Sequence, residues 1–121
     1  MTAEVSDASD GLLTLRVSGV LTEDELRAAQ QQMGAAILGR GKVRILALVE
    51  NFSGWDPDGT WDDFSFQDRF DPHIGRMAIV GDKQWEDLAL LFSAKGLRGF
   101  PIEYFEPADI VRARAWLEMD E

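Results

Sequence analysis

The sequence predicts an α/β domain: a mixed, mostly parallel sheet of about five strands, with an antiparallel edge hairpin at its N-terminal end and four helices packed on it. Three observations lead there. Short apolar runs of strand length, KVRILALVE, RMAIV and IEYF, alternate with longer segments of helical periodicity. That alternation implies right-handed crossovers between parallel strands. The first run is almost continuously apolar at its centre, as in a strand covered on both faces. The 121 residues, 45% of them hydrophobic, suit one domain over 1–121 with a single real core.

Taken in order, Ala3–Val17 reads as a hairpin. Asp10-Gly11 is a favoured two-residue turn, and Leu13, Leu15 and Val17 then alternate with Thr14 and Arg16. Thr22-Glu23-Asp24-Glu25 is a capping box, in which the Thr22 hydroxyl takes the Glu25 amide proton. Leu26, Ala29, Met33, Ala36 and Ile37 share one face of the helix that follows, which Gly39 and Gly41 stop. Lys42–Val49 is a strand, and 50–64 is expected to leave it as a loop. Asp56-Pro57 starts a second helix as N-cap and first-turn proline, with Trp61, Phe64, Phe66 and Phe70 along it. Arg76–Val80 is a short strand. Gly81-Asp82 turns into a third helix with Trp85, Leu88, Ala89 and Phe92 facing inward and Leu90 and Leu91 widening that face. After a loop over Gly96–Pro101, Ile102–Phe105 is the last strand. Pro107 opens the last helix, with Ile110, Ala113, Trp116 and Leu117 inward.

Composition removes several classes of function. A net charge of −10 repels phosphate backbones, so nucleic acid is excluded as a partner. It also disfavours purely electrostatic docking on anionic lipid. With no cysteine there is no disulfide framework, thiolate nucleophile or cysteine-based metal site. The polar, acidic start, TAEVSDASD, lacks the pattern of a secretory signal, and Ile45–Val49 is far too short to span a bilayer. A cytoplasmic location, with peripheral contact at a membrane, is the expectation.

Several phrases then point to a family. The strand GKVRILALVENFSGW, the run RMAIVGDKQWEDL and the ending YFEPADIVRARAWL, together with the helix from Thr22, resemble the SpoIIAA-like proteins. These are small bacterial relatives of the STAS, or anti-sigma-factor-antagonist, fold. The resemblance covers nearly the whole chain. It implies a sheet and helix order like that above, some likeness to lipid-carrying CRAL-TRIO domains, membrane association and an apolar ligand. It also implies a place for a phosphorylated serine after a central strand, at a helix start. Here the matching phrase is Asn51-Phe52-Ser53-Gly54, with Ser53 as phosphoacceptor. Phenylalanine stands where the family has a preceding serine, the leading aspartate is missing, and Asp56, Asp58, Asp62 and Asp63 would repel a phosphate.

Other chemistries find little footing. Asp-Pro-Asp-Gly-Thr-Trp-Asp-Asp offers hard oxygens, but with Gly59 as the turn glycine of a calcium loop, Gly54 and Ser65 fall on the first and last ligand positions. No metal and no cofactor is expected. His73, the single histidine, reads as a loop residue rather than a general base. There is no G-x-S-x-G elbow, and Gly39-Arg40-Gly41-Lys42 lacks phosphate-loop spacing. A non-enzymatic protein is expected.

That leaves the aromatic residues. They are core, or a groove, or an anchor for a protein partner. In open α/β sheets ligands bind beyond the carboxyl ends of the strands, where Val49–Trp55 and Gly81–Trp85 fall. The candidate ligand-binding residues are therefore Phe52, Trp55, Trp61, Phe64, Trp85, Leu88 and Phe92, between the 55–70 and 83–95 helices. The expected occupant is a small apolar or lipid-like molecule. The alternative is a protein partner switched at Ser53. A second copy of the chain is a further candidate partner.

Overall fold

A computed structural model describes residues 3–7, 11–57, 69–93 and 99–119. Five strands form one sheet in the order β1-β2-β3-β4-β5. They are β1 (Ala3–Asp7), β2 (Leu12–Leu21), β3 (Val43–Trp55), β4 (Ile74–Val80) and β5 (Ile102–Phe105). β1 and β2 pair antiparallel, and every later pair is parallel. Three α-helices lie within the described residues: α1 (Glu23–Arg40), α2 (Glu86–Phe92) and α3 (Ile110–Leu117). The fourth expected helix, from Asp56 past Trp61 and Phe64 to Phe70, falls mostly on 58–68, outside them; Arg69 and Phe70 are helical. The predicted Asp10-Gly11 turn and part of the 96–101 loop also lie outside, although Gly11 is described, with φ 86°.

Alternation along the strands divides the interior into two layers. Leu13, Leu15, Val17, Ile45, Ala47 and Ile79 point to the face covered by α1 and α2. Leu46, Leu48, Ala78 and Val80 point to the other face, which α3 covers through Ala113 and Leu117. α1 starts as the capping box predicts: the Thr22 hydroxyl accepts from the Glu25 amide at 3.2 Å. It ends at Gly41, whose φ of 92° suits glycine and whose N–H donates to the Ile37 carbonyl at 2.7 Å. Between these ends Ala29, Met33 and Ile37 are buried on the sheet. At the far end of α3 the Arg76 guanidinium donates to the Trp116 carbonyl at 3.0 Å and lies 4.9 Å from the Trp116 ring centroid.

Two elements differ from expectation in ways that matter for the site. β3 continues to Trp55 instead of ending at Val49. Its last stretch still pairs with β2, Gly19 opposite Phe52, Val20 opposite Gly54 and Leu21 opposite Trp55. The register shifts twice, because two residues, Glu50 and Asn51, stand against Ser18 alone, and Ser53 stands against none. Each is a β-bulge, which adds a residue to one strand and resets its alternation. Asn51 accordingly takes a left-handed φ of 49°, which asparagine tolerates better than most residues. The second difference is in α2. Ala89 is buried and Leu90 packs against the core, whereas Leu88, predicted inward, is 49% exposed. The one-turn 3₁₀ segment Lys83–Trp85 precedes the helix.

The turn before α2 is tied to the sheet edge. The hydroxyl of Tyr104 on β5 donates to the Asp82 carbonyl at 2.7 Å, and the Asp82 carboxylate accepts from the Gln84 amide at 3.2 Å. Gly81 has no space for a side chain, since a Cβ there would fall 2.7 Å from the Tyr104 hydroxyl and 3.0 Å from Val49 Cβ. Burial of the phenol, then the Glu86, Asp82 and Glu106 carboxylates, pushes the Tyr104 pKa up from 10.0 to about 12. Below pH 10 the phenol is protonated in both folded and unfolded chains, and its contribution to stability is fully present. Between pH 10 and 12 the unfolded chain gives up the proton first, so stability falls as pH rises. Urea titrations across that window should show this alkaline slope, and Tyr104→Phe should flatten it. Tyr104 is the sole tyrosine, so tyrosinate absorbance reports its ionisation directly. An unchanged slope in the variant would refute the assignment.

Candidate functional site

The two bulges bring Phe52 and Trp55 onto one face of the sheet, three residues apart on a strand whose undisturbed period is two. Trp85 and Phe92 reach the same place from the far side. Phe52 and Trp55 meet edge to face at 5.0 Å between centroids, Phe52 and Trp85 at 5.0 Å, and Trp55 and Trp85 at 6.1 Å. Phe92 lies against Trp55 at 5.2 Å with the rings tilted by 41°. Edge-to-face pairs of this kind add about 0.5–1.5 kcal/mol each beyond burial. Gly54, at φ 113°, carries the chain between Phe52 and Trp55 with no side chain under the Trp85 ring.

The aromatic cluster closes one end of a cavity of about 180 Å³. Its floor is the sheet, with Leu15 and Val17 from β2, Ile45 and Ala47 from β3, and Met77 and Ile79 from β4. α1 forms one wall through Leu26 and Met33, and α2 the other through Ala89 and Phe92. Two small residues are in the lining, Ala47 between Ile45 and Val49 on the floor and Ala89 on α2. Polar groups gather along one row of α1: Glu23, Arg27 and Gln30. Arg27 and Glu23 pair at 3.6 Å, so that row is close to neutral. The Trp55 indole Nε1–H is buried and has no hydrogen-bond acceptor among the described residues.

The candidate residues divide accordingly. Phe52, Trp55, Trp85 and Phe92 are brought together at the cavity. Leu88 is on α2 but points to solvent and is not in the lining. Trp61 and Phe64 lie outside the described residues. Ser53 is exposed and belongs to β3, with strand pairing continuing through Gly54 and Trp55, rather than to a loop after the strand; the segment 58–68, where the expected helix falls, lies outside the described residues. His73 is exposed in the 3₁₀ turn Asp71–His73 before β4, and neither it nor Ser53 lines the cavity. Among the described residues no group of three or more histidine or acidic side chains could hold a metal ion. No helix among them is long and apolar enough to cross a membrane.

The α1 wall escaped sequence reasoning. Its signal was present: Leu26, Gln30 and Met33 follow i, i+4, i+7 and put one amide into an otherwise apolar stripe. Ala47 amid larger residues was a second signal, because an alanine in a central strand leaves room above it.

A crystal structure of an uncharacterized protein from the DUF3478 family of Shewanella loihica PV-4, described as having a SpoIIAA-like fold, superposes with a TM-score of 0.68. The match covers 95% of this chain and 91% of that one at 21% identity, and it establishes likeness of fold. A comparison with curated proteins finds no match. The family model described as SpoIIAA-like matches residues 12–118, the span from the start of β2 to just beyond α3. By that match the chain belongs to the SpoIIAA-like family.

Proposed function

We propose that this protein is a non-catalytic binding module that takes up a small apolar molecule between α1 and α2. The observation that carries the reading is the cavity itself, about 180 Å³, floored by the sheet and ended by the four aromatic rings. An apolar cavity of about 150 Å³ stays dry and admits a benzene-sized guest. The size therefore suits a single ring or a short chain, and the lipid-like expectation narrows to a ligand of that bulk. The apolar lining supplies the affinity, because a guest buries its own surface and that of the wall together.

A partner-binding module switched by phosphorylation at Ser53 is the alternative. Ser53 stands within β3 and does not line the cavity, so the cavity reading is preferred.

Native mass spectrometry of the purified protein, before and after organic extraction, tests for a resident molecule. Thermal denaturation with benzene or indole tests the empty cavity, since a ligand that binds only the folded state raises the transition temperature as its concentration rises. The expected result is a small extractable mass or a concentration-dependent rise with either probe. A bare protein mass together with no rise would overturn the reading.

A further inference from the structure

We infer that the ligand of this cavity is an uncharged amphiphile, an apolar ring or short chain ending in a hydroxyl or amide, and that the Gln30 side chain on α1 binds its polar end at the mouth. The inference rests on the cavity reading above and specifies the occupant.

Polarity across the α1 wall sets the direction in which a guest lies. Met33 is buried, Leu26 and Gln30 are half-buried, and Arg27, at the outer edge of the lining, is exposed. Residues three and four apart on a helix are surface neighbours, so the wall passes from methionine and leucine through one amide to a charged pair. The floor opposite, from Leu15 and Val17 to Ile79, is apolar. A molecule with one polar end therefore lays its apolar body over Ala47 and Ile79 and brings that end to the α1 row.

Gln30 is the group that remains to meet it. Among the described lining residues with charged, hydroxyl or amide side chains, Glu23 and Arg27 face each other at 3.6 Å, and the Ser93 hydroxyl donates to the Leu90 carbonyl at 3.2 Å. The Gln30 carboxamide has no hydrogen-bond partner among the described residues. An amide both donates and accepts, so it pairs with a hydroxyl or with a second amide. Half-buried at the mouth, it exchanges water for the polar end of the guest without being stranded in either state.

Charge decides against an ionic end. Glu23 and Arg27 have opposite signs and nearly cancel at the rim. An ammonium would have to draw Glu23 from Arg27, and a carboxylate would have to draw Arg27 from Glu23, each giving up hydration as well. A carboxylate also meets Asp24 and Glu25 in the first turn of α1. A hydroxyl or amide leaves the pair as it stands.

Four probes built on one ring separate the possibilities: toluene, benzyl alcohol, benzylamine and benzoate. Their affinities are read by calorimetry. In a wholly apolar site the hydroxyl goes unpaired, and benzyl alcohol would bind more than about tenfold less tightly than toluene. Here benzyl alcohol should bind within about threefold of toluene, because Gln30 takes up its hydroxyl. In Gln30→Leu the gap should widen by roughly fivefold or more, whatever the affinity for toluene itself. Gln30→Met, unbranched like glutamine and without the amide, should behave alike and decides if the leucine variant does not fold. Toluene binding with a wider gap to benzyl alcohol in the unaltered protein overturns the inference and leaves the apolar cavity standing. A gap that neither substitution moves overturns the role of Gln30. Tighter binding of benzylamine or benzoate than of benzyl alcohol overturns the choice of an uncharged ligand. Failure of all four to bind overturns the cavity reading itself.

Discussion

Leu46→Ala should destabilise the domain by about 2–5 kcal/mol, the range for deleting a fully buried leucine from a core that cannot collapse around the gap. Leu46 is 0% exposed, lies mid-strand on β3 and faces α3. Its neighbours on that face, Ala78 and Ala113, are also at 0% and too small to move in and refill the space. For a domain of this size the loss corresponds to roughly 10 °C or more in transition temperature. Urea denaturation should report it as a lower midpoint with an unchanged slope. A cost below about 1 kcal/mol would mean that α3 is not held on the sheet in the way described.

One residue further along β3, the expected sign reverses. Ala47→Ile adds bulk on the opposite face, into the cavity. In a close-packed core such a change costs about 1–3 kcal/mol through strain. Above Ala47 about 180 Å³ is open, and a β-branched residue suits a central strand. The variant should therefore gain about 0.5–2 kcal/mol, as cavity-filling substitutions commonly do. It should also bind benzene and indole more than about tenfold less tightly, because the guest and the new side chain compete for one volume. Stability and uptake moving in opposite directions would show that the space is kept for an occupant. A destabilised variant that still takes up the probes would place the binding site elsewhere.

The contrast between Leu46 and Ala47 also shows what could be read from the sequence. The order of elements was legible because helix and strand periods differ and the caps are explicit at Thr22 and Pro107. The role of the aromatic residues was only half legible. Trp55 falls beyond the strand end that the sequence predicts and Trp85 beyond the end of β4, where α/β sheets bind ligands, and that rule located the cluster. The bulges were not legible. A strand that gains a residue at Asn51 and again at Ser53 looks, in sequence, like a strand that has ended. Leu88 misled for another reason: counted from Trp85, the i+4 and i+7 positions Ala89 and Phe92 do line the cavity, and the i+3 position, Leu88, lies at the edge of that stripe and turns to solvent.

The bulges carry a consequence for the rings that close the cavity. Each one leaves a rung missing between β2 and β3, and both lie at the aromatic end, while the ladder from Leu12 to Val17 runs unbroken. Segments with fewer cross-strand bonds open locally at lower free energy than the sheet around them. The last six residues of β3 are thus the loosest part of its most central strand. They also carry two of the four rings that close the cavity. Local opening at 50–55 therefore moves Phe52 and Trp55 while the unbroken ladder holds the rest of β2 and β3 in register, so the irregularity that aims the two rings also frees them to shift.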